Sequence, residues 1–289
     1  MAPARRSEPA PGRWWRTVRT SFWLGWQIES NWTDPFLFAV YSIARPLGGV
    51  MILVVMFVVV AGGREGPLLD FFVVGSAFWA FVVAGMQGMA TGLLDDREHW
   101  HTMRAIYIAP MPFEAYVVGR ALARLAASAA ATVVTLAVGW LALGVEIEVS
   151  TFGGLYVVAT AVLGLVGVLA LGFLVLSMAI SVSGEAWRMP EAVGAALYLL
   201  CGVVFPITVL PPALGTLAAL LPLTWWLEAL RRGLLGPGAM RSFPWADDAT
   251  VLGLLAVTTL AAVGLGALVF RAAERRARQL GMLDAESAY

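Results

Sequence analysis

The chain has 289 residues, of which 60% are hydrophobic and 13% are charged, and its mean hydropathy is +0.81. This composition is typical of polytopic membrane proteins and excludes an ordinary soluble domain. The formal net charge is zero and all nineteen basic residues are arginine, so we expect no nucleic-acid partner. The missing lysine excludes a Walker-type ATPase within this chain, because the phosphate-binding loop needs a lysine, and it excludes Schiff-base chemistry.

Cysteine and histidine are too few to indicate redox or metal chemistry. The single cysteine, Cys201, lies within an apolar run, so no intrachain disulfide can form. His99 and His101 have no third ligand nearby in the sequence, and we expect them to make surface contacts. The chain is therefore expected to bind no metal and no cofactor of its own.

The first segments predict a tail and an interface helix. Residues 1–12 are basic and proline-rich, and we expect a disordered tail. Residues 13–34 predict an amphipathic helix in the membrane interface, with apolar side chains on one arc and arginine on the other. Its principal residues are Trp14, Trp15, Arg16, Arg19 and Trp26. Glu29 projects into the apolar arc, so either the helix has ended before it, which we favour, or Glu29 meets a partner.

Uncharged apolar stretches predict the membrane spans, because a helix of about 20 residues crosses the hydrocarbon core. We predict six spans, over residues 35–61, 71–94, 116–145, 152–182, 192–209 and 249–270. The transmembrane domain as a whole covers residues 35–275, and residues 276–289 form a cytoplasmic tail. Arg45 lies in the first span, and both snorkelling to the headgroups and a functional intramembrane charge are open interpretations.

The longest polar interruption between two apolar segments covers residues 95–114 and holds both histidines. Burying its charges in hydrocarbon would cost several kcal/mol each, so this loop must lie in water. We expect it to form a short helix on the membrane face, where a soluble partner can bind.

Residues 192–227 carry no charge, but this stretch is too long for one span and too short for two. Proline interrupts it, and proline stops regular helix. The interrupting residues are Pro206, Pro211, Pro212 and Pro222. We predict one span followed by two short helices, 213–221 and 223–235, that dip into the outer leaflet. Glu228 and Arg232 are four positions apart and would pair on the second short helix.

Arginine counts support a topology in which both termini are cytoplasmic. With six spans, fourteen arginines lie inside and four lie outside. A seven-span alternative, in which residues 210–230 cross the membrane, gives thirteen against five. The arginine rule does not choose between the two, and the prolines favour six.

The order and spacing of these features resemble the transmembrane subunits of ABC-2 type ABC exporters. The resemblance rests on LLDDREHWHTMRAIYIAPMPFEAYVVGRALA after the second span and VVFPITVLPPALGTLAALLPLTWWLEALRRGLLG before the last, and it covers nearly all of residues 13–275. It implies an all-α polytopic fold like that of type V exporters, with six spans, an N-terminal interface helix and re-entrant outer helices over residues 213–235. One departure is the sequence HWH at 99–101, where the family more often has a glycine before the threonine.

The resemblance also implies a permease subunit that is not an enzyme. Residues 95–114 would form a coupling loop, and residues 95–103 within it would include a coupling helix seated in a groove of a separate ATP-binding subunit. That subunit would be present in two copies and would bind ATP and Mg. The implied coupling residues are Asp95, Asp96, Arg97, Glu98, Trp100, His101, Thr102, Met103 and Arg104. The residues implied at the outer gate and re-entrant region are Pro206, Pro211, Pro222, Glu228, Arg231 and Arg232.

One six-span chain supplies half of a pathway, so the resemblance implies a second permease copy, as a homodimer or a related heterodimer, in the bacterial plasma membrane. We expect membrane lipid as a partner and export of an amphipathic or hydrophobic drug or antibiotic, with lipid-linked glycan or lipid as the alternative cargo. An integral-membrane enzyme would need acids, histidines or serines clustered at matching depths, and a secondary carrier would need ionisable groups near the midplane of several spans. The sequence shows neither pattern.

Overall fold

The computed structural model describes residues 11–30, 66–145, 147, 151–181 and 188–280, together with the isolated positions 48, 51, 52 and 55. The described part of the chain is helical and contains no strand. Almost all of the predicted first span, with Arg45, lies outside these residues. The same is true of most of the two predicted tails.

The helices are named here in chain order. Their bounds are α1 Pro11–Ser30, α2 Pro67–Leu94, α3 Met103–Ile108, α4 Phe113–Leu143, α5 Thr151–Ser181, α6 Met189–Leu200, α7 Pro212–Ala219, α8 Pro222–Leu235 and α9 Asp248–Leu280. A π-helical turn, Asp95–His99, continues α2, and 3-10 turns lie at Ile207–Val209 and Gly236–Gly238.

Four of these helices, α2, α4, α5 and α9, are long and apolar enough to cross a membrane. They contain 28, 31, 31 and 33 residues, and they match the predicted spans 71–94, 116–145, 152–182 and 249–270. The α7–α8 pair, bent by 81°, makes a fifth candidate if the pair counts as one span. The described chain is thus a multi-pass membrane protein with four or five candidate spans.

The predicted span 192–209 does not form one helix. Helix α6 ends at Leu200 after 12 residues, which makes it about 18 Å long, shorter than the hydrocarbon core of about 30 Å. Gly202 follows with φ of 70°, a left-handed conformation that favours glycine, and Pro206 opens the 3-10 turn. The stretch predicted as the span 192–209 is therefore interrupted after Leu200.

The two short helices predicted at 213–221 and 223–235 are present as α7 and α8, with starts one residue earlier. Proline stands at the start of each, where its fixed φ suits the first turn and its missing N–H removes no helix hydrogen bond. The break between them is closed by Thr224, whose hydroxyl donates to Ala218 O at 2.7 Å.

The largest core cluster joins α2, α5, α8 and α9. Met86, Val168, Trp226 and Leu255 are each at most 1% exposed within it. Trp226 can lie so close to α5 because Gly164 faces it, where a Cβ would stand 1.9 Å from the indole Nε1. Helix α8 is consequently wedged against the long helices although it is too short to span a membrane itself.

Helix α1 packs along α4 through small residues. A Cβ at Gly119 would lie 2.5 Å from Val18 O, and one at Gly25 would lie 2.9 Å from Ala123 Cβ, so the two backbones approach closely. Val18, which belongs to the apolar arc of this amphipathic helix, is 3% exposed and faces α4. Part of that arc therefore contacts protein, because the sequence pattern cannot distinguish an apolar protein face from an apolar lipid face.

We predict that Gly119→Leu separates α1 from α4, because the new side chain meets the α1 backbone, and that it lowers stability by about 2 kcal/mol. Maleimide labelling of a Ser21→Cys reporter, at a position that is 3% exposed, measures the separation. The native Cys201 is buried. Gly253→Leu is the matched control, since a Cβ at Gly253 meets nothing within 4 Å. Unchanged labelling in Gly119→Leu would contradict the packing.

Candidate functional site

The polar loop leaves α2 through the π-helical turn and returns through α3 to α4. Its turn is closed by its own backbone: Trp100 N donates to Asp95 O and Thr102 N to Asp96 O, both at 2.8 Å. His101 between them has φ of 51°, the left-handed region that glycine adopts without strain. This is the position before the threonine at which the sequence departs from the resembled pattern.

The base of the loop is a buried charge pair. Asp96 Oδ2 accepts a hydrogen bond from the Tyr116 hydroxyl at 2.6 Å, and Asp96 Oδ1 accepts one from Arg120 Nη1 at 3.3 Å. Arg120 Nη1 also donates to the Tyr116 hydroxyl at 3.2 Å. The side chains of Arg120 and Asp96 are only 6% and 5% exposed, so each needs the other, since an isolated buried charge is costly.

A second arginine, one turn along α4, joins three helices. Arg124 Nε donates to Glu29 Oε1 of α1 at 2.6 Å, and Arg124 Nη2 lies 3.6 Å from Asp95 Oδ2 at the end of α2. Arg124 Nη1 also donates to the Thr91 hydroxyl. Helix α1 continues to Ser30 and Glu29 does meet a partner, so the favoured interpretation, in which the helix ends before Glu29, is wrong.

These groups are called the polar node below. Its members are Glu29, Asp95, Asp96, Tyr116, Arg120 and Arg124. The sequence already held a signal for it, because two adjacent acids end one apolar segment and two arginines one turn apart begin the next. The contribution of α1 was missed.

The tip of the loop is exposed. Trp100 is 54% exposed and Ile108 is 75% exposed, and His99, His101 and Thr102 are exposed beside them. Trp100 packs edge-on against His99, with ring centroids 4.7 Å apart. Two large apolar side chains on a polar loop are suited to contact with another protein, because aromatic residues are enriched at the centres of interfaces.

The predicted coupling residues thus divide between base and tip. Asp96, Arg97 and Met103 are buried, and Asp95 is half-buried. Trp100, His101 and Thr102 are exposed. The side chains of Glu98 and Arg104 lie outside what the structure describes. Met103, 3% exposed, packs with Phe113 and Phe270 beneath the loop. The buried residues hold the loop in place, and the exposed ones are available for contact.

On the interface helix, the predicted residues take several positions. Arg16, Arg19, Trp14 and Trp15 are exposed, and Trp26 is half-buried. Arg16 Nε donates to Gly12 O at 3.1 Å, within the first turn of the helix. The exposed arginines and tryptophans face away from α4, which is consistent with a helix that has one side on protein and another on the membrane interface.

A second charged cluster lies at the other end of α2. The pairing predicted for Glu228 and Arg232 is confirmed: Arg232 Nε donates to Glu228 Oε1 at 2.9 Å, with both side chains 1% exposed. Arg232 also donates to Phe243 O at 2.8 Å and to Ala246 O at 2.7 Å, and Glu228 accepts from Ser242 N at 3.2 Å. The pair thereby ties the connection between α8 and α9 to α8.

Arg231 is also buried, and its guanidinium donates hydrogen bonds mainly to backbone carbonyl oxygens. It donates to Phe71 O, Gly202 O and Val203 O at 3.2, 2.8 and 3.2 Å, and its guanidinium lies 3.3 Å from the centre of the Phe71 ring. Gly202 and Val203 follow the end of α6, where carbonyls lack helical partners. Arg231 thus stabilises the break after α6 and attaches it to the start of α2.

The predicted outer prolines occupy the beginnings of structural elements. Pro206 precedes the Ile207–Val209 turn, Pro211 precedes α7 and Pro222 is the first residue of α8. At the start of α9, Asp247 Oδ1 accepts a hydrogen bond from Thr250 N at 2.9 Å, and hydrogen bonding by Thr250 holds the pKa of Asp247 below its usual value. Within the described residues no three histidine, cysteine or acidic side chains are placed to hold a metal ion.

Comparison with known proteins gives one result that covers most of the chain. The model of the family described as ABC-2 type transporter matches residues 18–235 of the 289. The match includes the polar node, the exposed loop tip and the charged cluster of α8. No curated protein matches the chain.

We predict that Asp96→Ala lowers the free energy of unfolding in detergent by about 3 kcal/mol, because Arg120 is left buried without its carboxylate. Arg120→Ala should do the same, and the double variant should lose clearly less than the sum of the two. Arg278→Ala, at the more exposed Glu274 pair with an arginine side chain 38% exposed, should cost less than about 1 kcal/mol. Additive losses at Asp96 and Arg120 would show that the pair does not interact.

We predict that the two acidic residues near Arg232 contribute unequally to the stability of the protein. Glu228→Gln should lower stability by about 3 kcal/mol, because it removes the carboxylate from a fully buried pair. Asp248→Asn should cost less than about 1 kcal/mol, since Asp248, 3.3 Å from the same arginine, is 58% exposed. Chemical denaturation of both variants tests this, and equal losses would contradict the assignment of Glu228 as the principal partner.

Proposed function

The chain belongs to the ABC-2 type transporter family, and from that premise we propose that it is the transmembrane permease subunit of an ATP-driven exporter. Permeases of this family work with an ABC ATP-binding subunit and are generally not catalytic themselves. We propose that two copies of a separate ATP-binding subunit bind the ATP and Mg, and that this chain pairs with a second permease as a homodimer or a related heterodimer.

The observation that carries the proposal is the contrast between the tip and the base of the polar loop, which in the structure covers residues 95–112 between α2 and α4. The tip presents Trp100 and Ile108, while the base is fixed by Asp96 and Arg120. A residue at the loop tip that contacts the ATP-binding subunit can transmit a movement to a membrane helix only if the loop between that residue and the helix is stiff. The buried ion pair supplies that stiffness, because opening it would leave charges unpaired in a medium of low dielectric constant.

Force on the loop would reach three helices at once. The polar node connects the end of α2 to α4 through Asp96 and Arg120, and to α1 through Arg124 and Glu29. We therefore propose that closure of the ATP-binding subunits moves α1, α2 and α4 together. Such a movement would shift the permease between inward-open and outward-open states.

We propose six spans with both termini cytoplasmic. The predicted first span supplies one crossing, α2, α4, α5 and α9 supply four, and residues 189–209 supply an interrupted one. Support comes from α9, whose Phe270 stacks on Phe113 next to the loop, with centroids 6.1 Å apart. The arginines that follow Phe270 therefore lie at the same end as the coupling loop, as the positive-inside rule requires. Helices α7 and α8 then form a re-entrant pair at the outer end, and Pro206, Pro211, Pro222 and the charged residues of α8 form the outer gate.

The proposed cargo is an amphipathic or hydrophobic drug or antibiotic, and lipid or lipid-linked glycan is the alternative. The proposed location is the bacterial plasma membrane, where α1 contacts lipid. Transport into inverted vesicles over a panel of such cargoes distinguishes these alternatives.

We predict that Trp100→Ala weakens binding of the ATP-binding subunit and reduces ATP-driven transport by about tenfold or more, because a central aromatic anchor is lost from the interface. Co-purification and vesicle transport measure the two effects. Trp245→Ala is the matched control, since Trp245 is 69% exposed but lies between α8 and α9, at the other end of the bundle. Native binding and transport in Trp100→Ala would refute the coupling role of the loop tip.

A further inference from the structure

A groove of about 400 Å³ lies between α2 and α6. Trp79 and Met86 line it on α2, and Glu191, Gly194 and Tyr198 line it on α6. Its volume falls within the range of about 300 to 1,000 Å³ that is usual for pockets holding one small organic molecule. Met86 also belongs to the largest core cluster, and none of the groove residues belongs to the polar node or to the charged cluster of α8.

The two ends of the groove differ in chemistry. At one end the rings of Trp79 and Tyr198 meet edge to face, with centroids 5.1 Å apart at an interplanar angle of 67°. At the other end stands Glu191, two helical turns before Tyr198 on α6 and therefore about 10 Å away along the helix axis. Aliphatic side chains and small residues form the surface between them.

Glu191 is the charged residue of the groove lining. Its side chain is exposed, and in the described structure it makes no ion pair and no hydrogen bond. It lies in the first turn of α6, where a negative charge interacts favourably with the free N–H groups of the helix. A carboxylate at the mouth of an apolar groove favours a positively charged occupant, and the faces of Trp79 and Tyr198 favour the same sign of charge.

We infer that this groove binds the cargo, and that Glu191 makes it selective for hydrophobic organic cations. The ligand's charged group lies toward Glu191 and its apolar or aromatic part lies against Trp79, Met86 and Tyr198. The inference rests on the proposed function, because a groove occupied by cargo presupposes that the chain carries cargo. It narrows the cargo from amphipathic molecules in general to those with a positive charge.

The position of the groove fits this role. Trp79 lies near the middle of α2, about 18 Å from its start and about 22 Å from its end, and Glu191 lies at the beginning of α6. The groove therefore runs from the end of the bundle that carries the coupling loop toward the centre of the helices. With the proposed topology, a cation would enter at the cytoplasmic end and meet the aromatic pair near the membrane midplane.

The test uses the purified full-length chain in nanodiscs of zwitterionic lipid. Equilibrium dialysis measures the binding of tetraphenylphosphonium and, separately, of the similarly shaped anion tetraphenylborate, each after subtraction of binding to empty nanodiscs. Glu191→Gln is expected to weaken tetraphenylphosphonium binding by about three- to tenfold. It should not weaken tetraphenylborate binding, because the carboxylate that is removed repels an anion. Trp79→Leu is expected to weaken the binding of the cation as well.

Arg188→Gln is the matched control for a change of charge, because Arg188 is exposed one turn before Glu191 and does not line the groove. It should not weaken the binding of the cation. Equal affinity for the two ions, or a Glu191→Gln variant that binds the cation as tightly as the native chain, would overturn the inference. The two proposals fail by different results. A chain that couples to an ATP-binding subunit but does not bind the cation refutes only the assignment of the groove as a cargo site. Cation binding without ATP-driven transport refutes the proposed exporter function.

Discussion

The arrangement of this chain depends on the pairing of charges that lie at the ends of apolar helices. Asp96 and Arg120 are almost completely buried and 3.3 Å apart, and neither could stay charged in that environment alone. Because they belong to the end of α2 and the first turns of α4, their pairing fixes how the loop between these helices is folded. The loop tip is exposed because its base is held inside.

At the opposite end of the bundle, buried charges are stabilised by different contacts. Glu228 neutralises Arg232, while Arg231 is surrounded by three carbonyl oxygens and an aromatic ring. Two of these carbonyls, those of Gly202 and Val203, are available as acceptors because α6 stops at Leu200. The broken helix and the buried arginine therefore depend on each other. Without the break the arginine loses two of its three carbonyl acceptors, and without the arginine the freed carbonyls lack donors in a region where water is scarce.

Structural features that depend on residues close together in the sequence were predictable. Features that depend on contacts between residues far apart in the sequence were not. The positions of α7 and α8 follow from their prolines, and the Glu228–Arg232 pair follows from its spacing of four, because both effects act within a few residues. The end of α6 was missed because Gly202 is one small residue in an apolar run, and the arginine that makes the break tolerable lies 29 residues further on. Glu29 was misjudged for the same reason, since Arg124 is 95 residues away.

Prediction of the candidate site was limited in the same way. The acids 95 and 96 and the arginines 120 and 124 were visible as charged ends of two apolar segments, but the sequence could not show that Asp96 is buried while Trp100 is exposed. Exposure depends on which side chain of a turn faces α4, and that is decided by the π-helical turn and by the left-handed conformation at His101. The groove beside Glu191 could not be predicted either, because the residues that line it on α2 and on α6 are more than a hundred positions apart in the sequence.

Helix α2 contributes to the buried arginine cluster of α8, to the groove beside Glu191 and to the polar node. It is therefore the element through which these three regions can influence one another. Near its start the carbonyl of Phe71 accepts from Arg231, near its middle Trp79 lines the groove, and just after its end Asp96 holds the exposed loop. An uninterrupted helix of 28 residues is about 42 Å long and tilts as a unit, since bending it would break backbone hydrogen bonds with no water to replace them. In the proposed exporter, a displacement of the loop that tilts α2 against α6 and α8 would therefore change the distance between Trp79 and Tyr198 and the position of Phe71 relative to Arg231. In the proposed exporter, the width of the groove and the state of the outer gate would consequently be set by one helix.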